Sequence, residues 1–371
     1  MNFKLFPGAV IQEICKNMDI STIGTLHTSL SHNLDEETVS VVSMIPDKHF
    51  DNSVNGCLLH YALKRGVSNH VSLHHIKQIY ARYRGVIFET DSEGRSLLLC
   101  ALLGKHDIKT IEYILKLTPT KMMSRCDSNG ASALHYSLMN YRNDINLLIK
   151  LVSEDKQLLL VVDAQNRSLM HYATMLGCNR TILEFLCLVC SNHLTRQDNT
   201  RKIPLHYGLY LWKDERDSLT CFLLSKTEGT LYNRHGVGRQ GNLLSCAEYH
   251  ENASLLMCAA SNRVSFKTLQ ELSGFDPLFV AMQDIHGRSV LYHMPQQDYD
   301  AELIIWFATS NLNCIYERHT NGVSLLHLAI RSKTDSKVLR VLCGPDGDVF
   351  YMTNNDGITP LQMLIRNETA E

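Results

Sequence analysis

The chain has 371 residues, a formal net charge of −2 and twelve cysteines at irregular spacings. So balanced a charge excludes the basic field that condenses on nucleic acid or anionic lipid, and no apolar run approaches the ~18–20 residues that cross a bilayer. The cysteines fall mostly inside apolar helical stretches, which suits small buried hydrophobes in a reducing, intracellular and cytoplasmic setting rather than a disulfide framework.

The first element in chain order is a helical segment over residues 6–46. Phe6 and Pro7 precede apolar positions Val10, Ile11, Ile14 and Met18, and Asp19 follows. Ile23, Leu26, Leu30 and Leu34 continue the stripe, and the acids Asp35, Glu36 and Glu37 open a third helix at the end where negative charge is favourable. Gln12 and Glu13 interrupt the apolar residues, so this is not a secretory core. Burying an aliphatic side chain is worth ~1.5–3 kcal/mol, so eight of them need a cover. They either dock on a partner or cap the neighbouring part of the chain.

From about residue 51 a short phrase recurs nine times. Its clearest copies are Asp127-Ser-Asn-Gly130-Ala-Ser-Ala-Leu134-His135-Tyr136, Asp163-Ala-Gln-Asn166-Arg-Ser-Leu-Met170-His171-Tyr172 and Asn354-Asn-Asp-Gly357-Ile-Thr-Pro360-Leu361. The turn residues stand at 55, 94, 130, 166, 201, 252, 287, 322 and 357, at intervals of 39, 36, 36, 35, 51, 35, 35 and 35. A fixed period of this length means stacked supersecondary units, each too small to bury its apolar face alone. Every copy predicts a polar turn with a positive-φ residue. A Ser or Thr N-cap such as Ser132, Ser168 or Thr359 follows, with Pro204 and Pro360 just inside the helix start. A second helix closes the unit, as in Ile111–Leu117 and Ile145–Leu151. The expected fold is all-α, with about nine helix-turn-helix units over 49–371 and a three-helix module over 1–48. The long interval places an insertion at about 225–245, a Gly- and Arg-rich stretch that reads as an exposed loop.

The repeat resembles the ankyrin family, whose phrase is Thr-Pro-Leu-His-x-Ala after an Asp-x-x-Gly turn, intact here only in the Thr359-Pro360 pair. The resemblance covers roughly 51–371 and implies a protein-recognition scaffold with a concave face of hairpin tips and first helices, without chemistry of its own. The spacing over 6–46 resembles an F-box, although Ala9 stands where that family carries an acid and Asn33 where it carries Trp or Phe. This second resemblance implies that Pro7, Val10, Ile11, Ile14, Met18, Ile23 and Leu26 grip the Skp adaptor of a cullin–RING ubiquitin ligase while the repeats hold a target. The combination is similar to proteins that intracellular bacteria and large DNA viruses deploy in the host cytoplasm.

Candidate target contacts are the variable positions of the repeat. At the ends of the first helices these are Met139, Asn140, Met175, Leu176, Tyr210 and Leu211; in the turns they include Gln165, Arg167, Asn199 and Lys202. Apolar residues at helix positions that are commonly polar in such arrays imply a contact patch, since Met and aromatics with a polar rim compose interface cores. The recurrent His60, His135, His171, His206 and His327 are expected to tie one repeat to the next rather than to form a metal ladder. Cys187 and Cys190 with His193 have the spacing of a zinc or redox pair but lack a second pair and read as core. Gly236-Val-Gly238-Arg-Gln-Gly241 matches a dinucleotide phrase by pattern only, with no preceding strand. No cofactor and no catalytic residue is expected; the partners are proteins, not nucleic acid or membrane.

Overall fold

A computed structural model describes residues 59–60, 63–64, 73–82, 84–211, 219–226, 245–246, 253–262, 264–274, 283–284, 286–293, 301–310, 315–318 and 321–368. The F-box-like segment, the turns at 55 and 252 and the 236–241 glycine phrase lie outside the described residues. The chain divides into two compact units, Met1–Val189 and Cys190–Glu371.

In the first unit the described helices are α1 (Leu73–Arg82), α2 (Leu97–Leu103), α3 (Ile108–Leu117), the single turn α4 (Thr120–Met123), α5 (Ala133–Asn140), α6 (Ile145–Glu154), α7 (Leu169–Met175) and α8 (Arg180–Val189). Two kinds of helix alternate. The first helix of each repeat is short and buried on every side: Leu134, His135, Tyr136, Ser137 and Leu138 of α5 are all buried, because α2 and α7 pack on either side of it. The second helices are ten residues long and one-sided. In α6, Leu147, Leu148, Leu151 and Val152 are buried while Ile149 is exposed, the i, i+3, i+4 stripe of a helix with one wet face. Asp107 and Asp144 cap α3 and α6 by accepting from Thr110 N and Leu147 N.

The second unit contains α9 (Pro204–Leu211), α10 (Leu255–Ser261), α11 (Phe266–Gly274), α12 (Ala301–Ser310), α13 (Leu325–Arg331), α14 (Ser336–Leu342) and α15 (Pro360–Glu368), with residues 219–226 also helical. Here α9 packs on α10, α10 on the 3₁₀ turn Val290–His293, and α13 on α15. Two features depart from a uniform array. Strands β1 (Ser245–Cys246) and β2 (Ala253–Ser254) pair antiparallel, Ser245 with Ser254 and Cys246 with Ala253, so the far edge of the expected insertion joins a two-residue ladder. In the repeat at 284 the described residues after the tip form a 3₁₀ turn, Val290–His293, where the other described tips lead into α-helices.

The tips that join the repeats are wired alike. In each of six, the backbone N–H of the first residue donates to the carbonyl four residues on, at 3.0–3.1 Å: Asp91 to Arg95, Asp127 to Ala131, Asp163 to Arg167, Asp198 to Lys202, Asp284 to Arg288 and Asn354 to Ile358. The Oδ1 atom of that first residue accepts two further backbone N–H groups, as Asp163 does from Gln165 (2.9 Å) and Arg167 (2.8 Å). The turn residues at 94, 130, 166, 201, 287, 322 and 357 all have positive φ, from 59° at Asn166 to 78° at Gly130. Register read from the repeat phrase therefore holds at every described tip. A Cβ on Gly130 would stand 3.0 Å from both Ala164 N and Asp163 Cα of the next tip. That close approach lets Ala164 N donate to Asn129 O at 2.7 Å, and at the preceding tip, where a Cβ on Gly94 would stand 3.4 Å from Ser128 N, Ser128 N donates to Glu93 O at 2.8 Å. The fold is an all-α, ankyrin-type repeat fold with hairpin tips.

Candidate functional site

The chemically capable side chains of the repeat are engaged with one another. Ser132 N–H donates to His135 Nδ1 at 3.2 Å and Ser132 Oγ lies 2.9 Å from the same atom. His171 with Ser168, and His327 with Ser324, repeat this arrangement, and Ile203 N–H donates to His206 Nδ1 at 3.1 Å. Histidine thus fills the place of the Glu or Gln of a capping box. Because Nδ1 accepts, the neutral ring carries its proton on Nε2. In His327 that proton reaches the following repeat, Nε2 to Ile358 O at 3.0 Å. His60 Nε2 likewise stands 3.2 Å from Glu89 O, whereas His135 Nε2 is buried without a hydrogen-bond partner among the described residues. Burial lowers the pKa of His135 to about 4, against a smaller pull upward from Asp163. Burial likewise lowers that of His327.

The tyrosine after that histidine closes the tip. Tyr136, Tyr172 and Tyr207 donate their hydroxyls to Oδ2 of Asp127, Asp163 and Asp198 at 2.8, 2.9 and 2.5 Å, each nine residues back; His293 takes the same place toward Asp284 at 3.1 Å. An arginine four residues after the aspartate adds an ion pair in three tips, Arg95 with Asp91, Arg167 with Asp163 and Arg288 with Asp284, at 2.6–2.7 Å. Burial alone pulls the Asp163 carboxyl upward. The side-chain and backbone bonds from Arg167 and the Tyr172 hydroxyl outweigh it, leaving Asp163 below the usual carboxylate range. Tyr172 is pushed up to about 12, first by burial and then by the Asp163 charge. The recurring interval of nine from Asp to Tyr is the sequence signal for this bond to the tip.

The candidate contacts separate by environment. In the first unit, Met139 and Asn140 end α5, Met175 ends α7 and Leu176 caps it. Arg142 Nη1 donates to Leu176 O at 2.5 Å, tying the ends of these neighbouring helices together. Met139 is 44% exposed, Met175, Leu176 and Asn140 are half-buried, and Gln165 is exposed on its tip. Arg167 is half-buried, its guanidinium paired with Asp163 and lying 5.3 Å over the Tyr172 ring. In the second unit Asn199 is exposed, but Lys202 is 5% exposed with its ammonium 5.7 Å over the Tyr207 ring. Lys202 was expected on the outer surface and is instead inside, because the long stem packs under its own tip. Tyr210 and Leu211 complete α9.

Cys187 and Cys190 are buried, and burial lowers the pKa of His193. Among the described residues no group of three His, Cys, Asp or Glu side chains is placed to hold a metal ion, and no helix is long and apolar enough to cross a membrane.

Tips, capped first helices and one-sided second helices define the class of fold, an ankyrin-type helical repeat. No protein-family profile matches the sequence, and no curated protein matches it. Solved structures do. The complex of the predatory endopeptidase Bd0816 from Bdellovibrio bacteriovorus with immunity protein Bd3460 supplies a chain matched with TM-score 0.44 and 16% identity, over 58% of this chain and 99% of that one. The ankyrin repeat domain of Bcl-3, a member of the IkappaB protein family, matches with TM-score 0.43 and 16% identity, over 68% of this chain and 100% of that one.

Proposed function

We propose that the chain is a non-enzymatic protein-recognition module. One observation carries this reading. The aspartates, histidines and tyrosines that could do chemistry are engaged in tip and cap bonds, while Met139, Gln165 and Asn199 are presented to solvent on the same repeats. Ends of first helices and tips are the variable positions of the repeat, and Met at such a position adapts to a partner surface. Met139, Asn140, Gln165, Arg167, Met175 and Leu176 form the contact set of the first unit, and Asn199, Tyr210 and Leu211 that of the second. Cross-linking of the purified chain in a cell extract, compared with a Met139→Ala, Met175→Ala chain, tests the reading. Loss of one specific interactor at an unchanged thermal midpoint supports it. Retention of the same interactors, or a collapse of the midpoint, removes it.

The finer proposal is an adaptor for a Skp–cullin ubiquitin ligase, in which Pro7, Val10, Ile11, Ile14, Met18, Ile23 and Leu26 bind the ligase and the repeats present a target inside a host cell. It rests on the apolar-Pro spacing of residues 6–26. Co-purification with purified Skp adaptor, wild type against Ile14→Asp, tests it. Equal recovery from both would leave residues 6–46 as a cap on the first repeat.

A further inference from the structure

Around the end of α5 lies an open groove of about 710 Å³, whose walls include Lys105, Met139, Asn140, Arg142 and Asp144. Its volume falls in the range of ~300–1,000 Å³ typical of ligand sites. Three features of its lining point the same way. The amide nitrogen of Asn140 is buried with no hydrogen-bond partner, an uncommon state that marks a donor awaiting an acceptor. Lys105 and Arg142 carry two positive charges and form no ion pair among the described residues. Among the described residues the Arg142 side chain bonds from Nη1 to Leu176 O, which aims the guanidinium without neutralising it. The single acid in the lining, Asp144, caps α6, its Oδ1 engaged in accepting from Leu147 N at 3.0 Å.

We propose that this groove takes an acidic side chain of the protein partner, an Asp or Glu whose carboxylate accepts from Arg142, Lys105 and the Asn140 amide. The planar fork of Arg142 matches a carboxylate in two-point geometry, and rotation about the last bond of Asn140 brings its N–H₂ to the same oxygens. Met139 on the groove wall receives an apolar neighbour of that acid in the partner sequence. Such a neighbour favours a peptide over a bare phosphate. The inference rests on the recognition reading above and narrows it to one subsite and one residue type.

The test uses the full chain and three fluorescein-labelled dodecapeptides, Gly/Ser-rich with a central Leu-Glu-Glu, Leu-Gln-Gln or Leu-Lys-Lys, followed by fluorescence anisotropy at low salt. The Glu peptide is expected to bind about tenfold more tightly than the Gln peptide, the equivalent of one charge-assisted contact. Arg142→Glu or Lys105→Glu should erase that preference. Asn140→Leu should weaken the Glu peptide at least about threefold while raising the thermal midpoint, since it removes an unsatisfied buried donor. Equal binding of the Gln or Lys peptide, no binding of the Glu peptide, tighter binding of oligodeoxythymidylate, or a preference that survives Arg142→Glu would each overturn the proposal. The two readings fail separately: if Met139→Ala, Met175→Ala loses a cross-linked interactor and Arg142→Glu retains it, recognition stands and this subsite falls.

Discussion

Replacing His135 by Gln isolates the pH dependence built into the repeat. The His135 ring is fully buried and accepts the Ser132 N–H on Nδ1. Protonation would place a hydrogen on the accepting atom and a charge in the core. Burial therefore moves its pKa from the ordinary 6.5 down to about 4. In the unfolded chain the ring titrates near 6.5, so between these values the unfolded state binds the extra proton. The stability contributed by neutral His135 is fully present above the unfolded pKa and is lost as pH falls toward the folded one. Some 2.5 units at ~1.36 kcal/mol each give a loss of about 3 kcal/mol between pH 7 and pH 4. Gln at the same position can accept the Ser132 N–H without titrating. It forgoes the edge-on contact of His135 with Tyr172, centroids 4.7 Å apart, worth about 1 kcal/mol. At pH 7 the variant should thus be slightly less stable than wild type, and at pH 4 more stable. The assay is urea unfolding of both chains at the two pH values, followed by the helical circular-dichroism signal. Parallel pH profiles would refute the reasoning, because the buried ring would then have no titration to lose.

Other perturbations test the tips and the core. Gly130→Ala forces an L side chain to φ 78° and against the Asp163–Ala164 backbone; a loss of about 2 kcal/mol is expected in urea unfolding. Arg201→Gly relaxes a positive φ of 62° in a related tip and should add about 1 kcal/mol. Tyr172→Phe removes a donor to a partly buried, ionised Asp163, so a loss of about 2 kcal/mol is expected by the same measurement. The variant's Asp163 should also titrate at higher pH than in wild type, read by NMR of its carboxyl carbon. Leu169→Ala, at a fully buried position of α7, should cost about 2–5 kcal/mol. If it costs under 1, first helices are not sandwiched as described.

Much of this protein was already determined along the chain. The period of 35–36 residues sets the register of the repeats, because each described tip needs a residue tolerant of positive φ, preceded three residues earlier by an aspartate in five of them and by Asn354 in the last, both local requirements. Seven turn positions, the caps at Ser132, Ser168 and Thr359 and most of the second helices α3 and α6, read over 111–117 and 145–151, are legible for that reason. What a side chain meets across repeats is decided only when they stack. Lys202 reads as an exposed turn residue, yet packing sends its stem under Tyr207. The β1–β2 pairing has two residues in each strand, too short for an alternating pattern to announce it. The groove at Asn140 was likewise invisible as a pattern. Lys105 and Arg142 are 37 positions apart, and only the packing of α2 against α5 gives them one common wall.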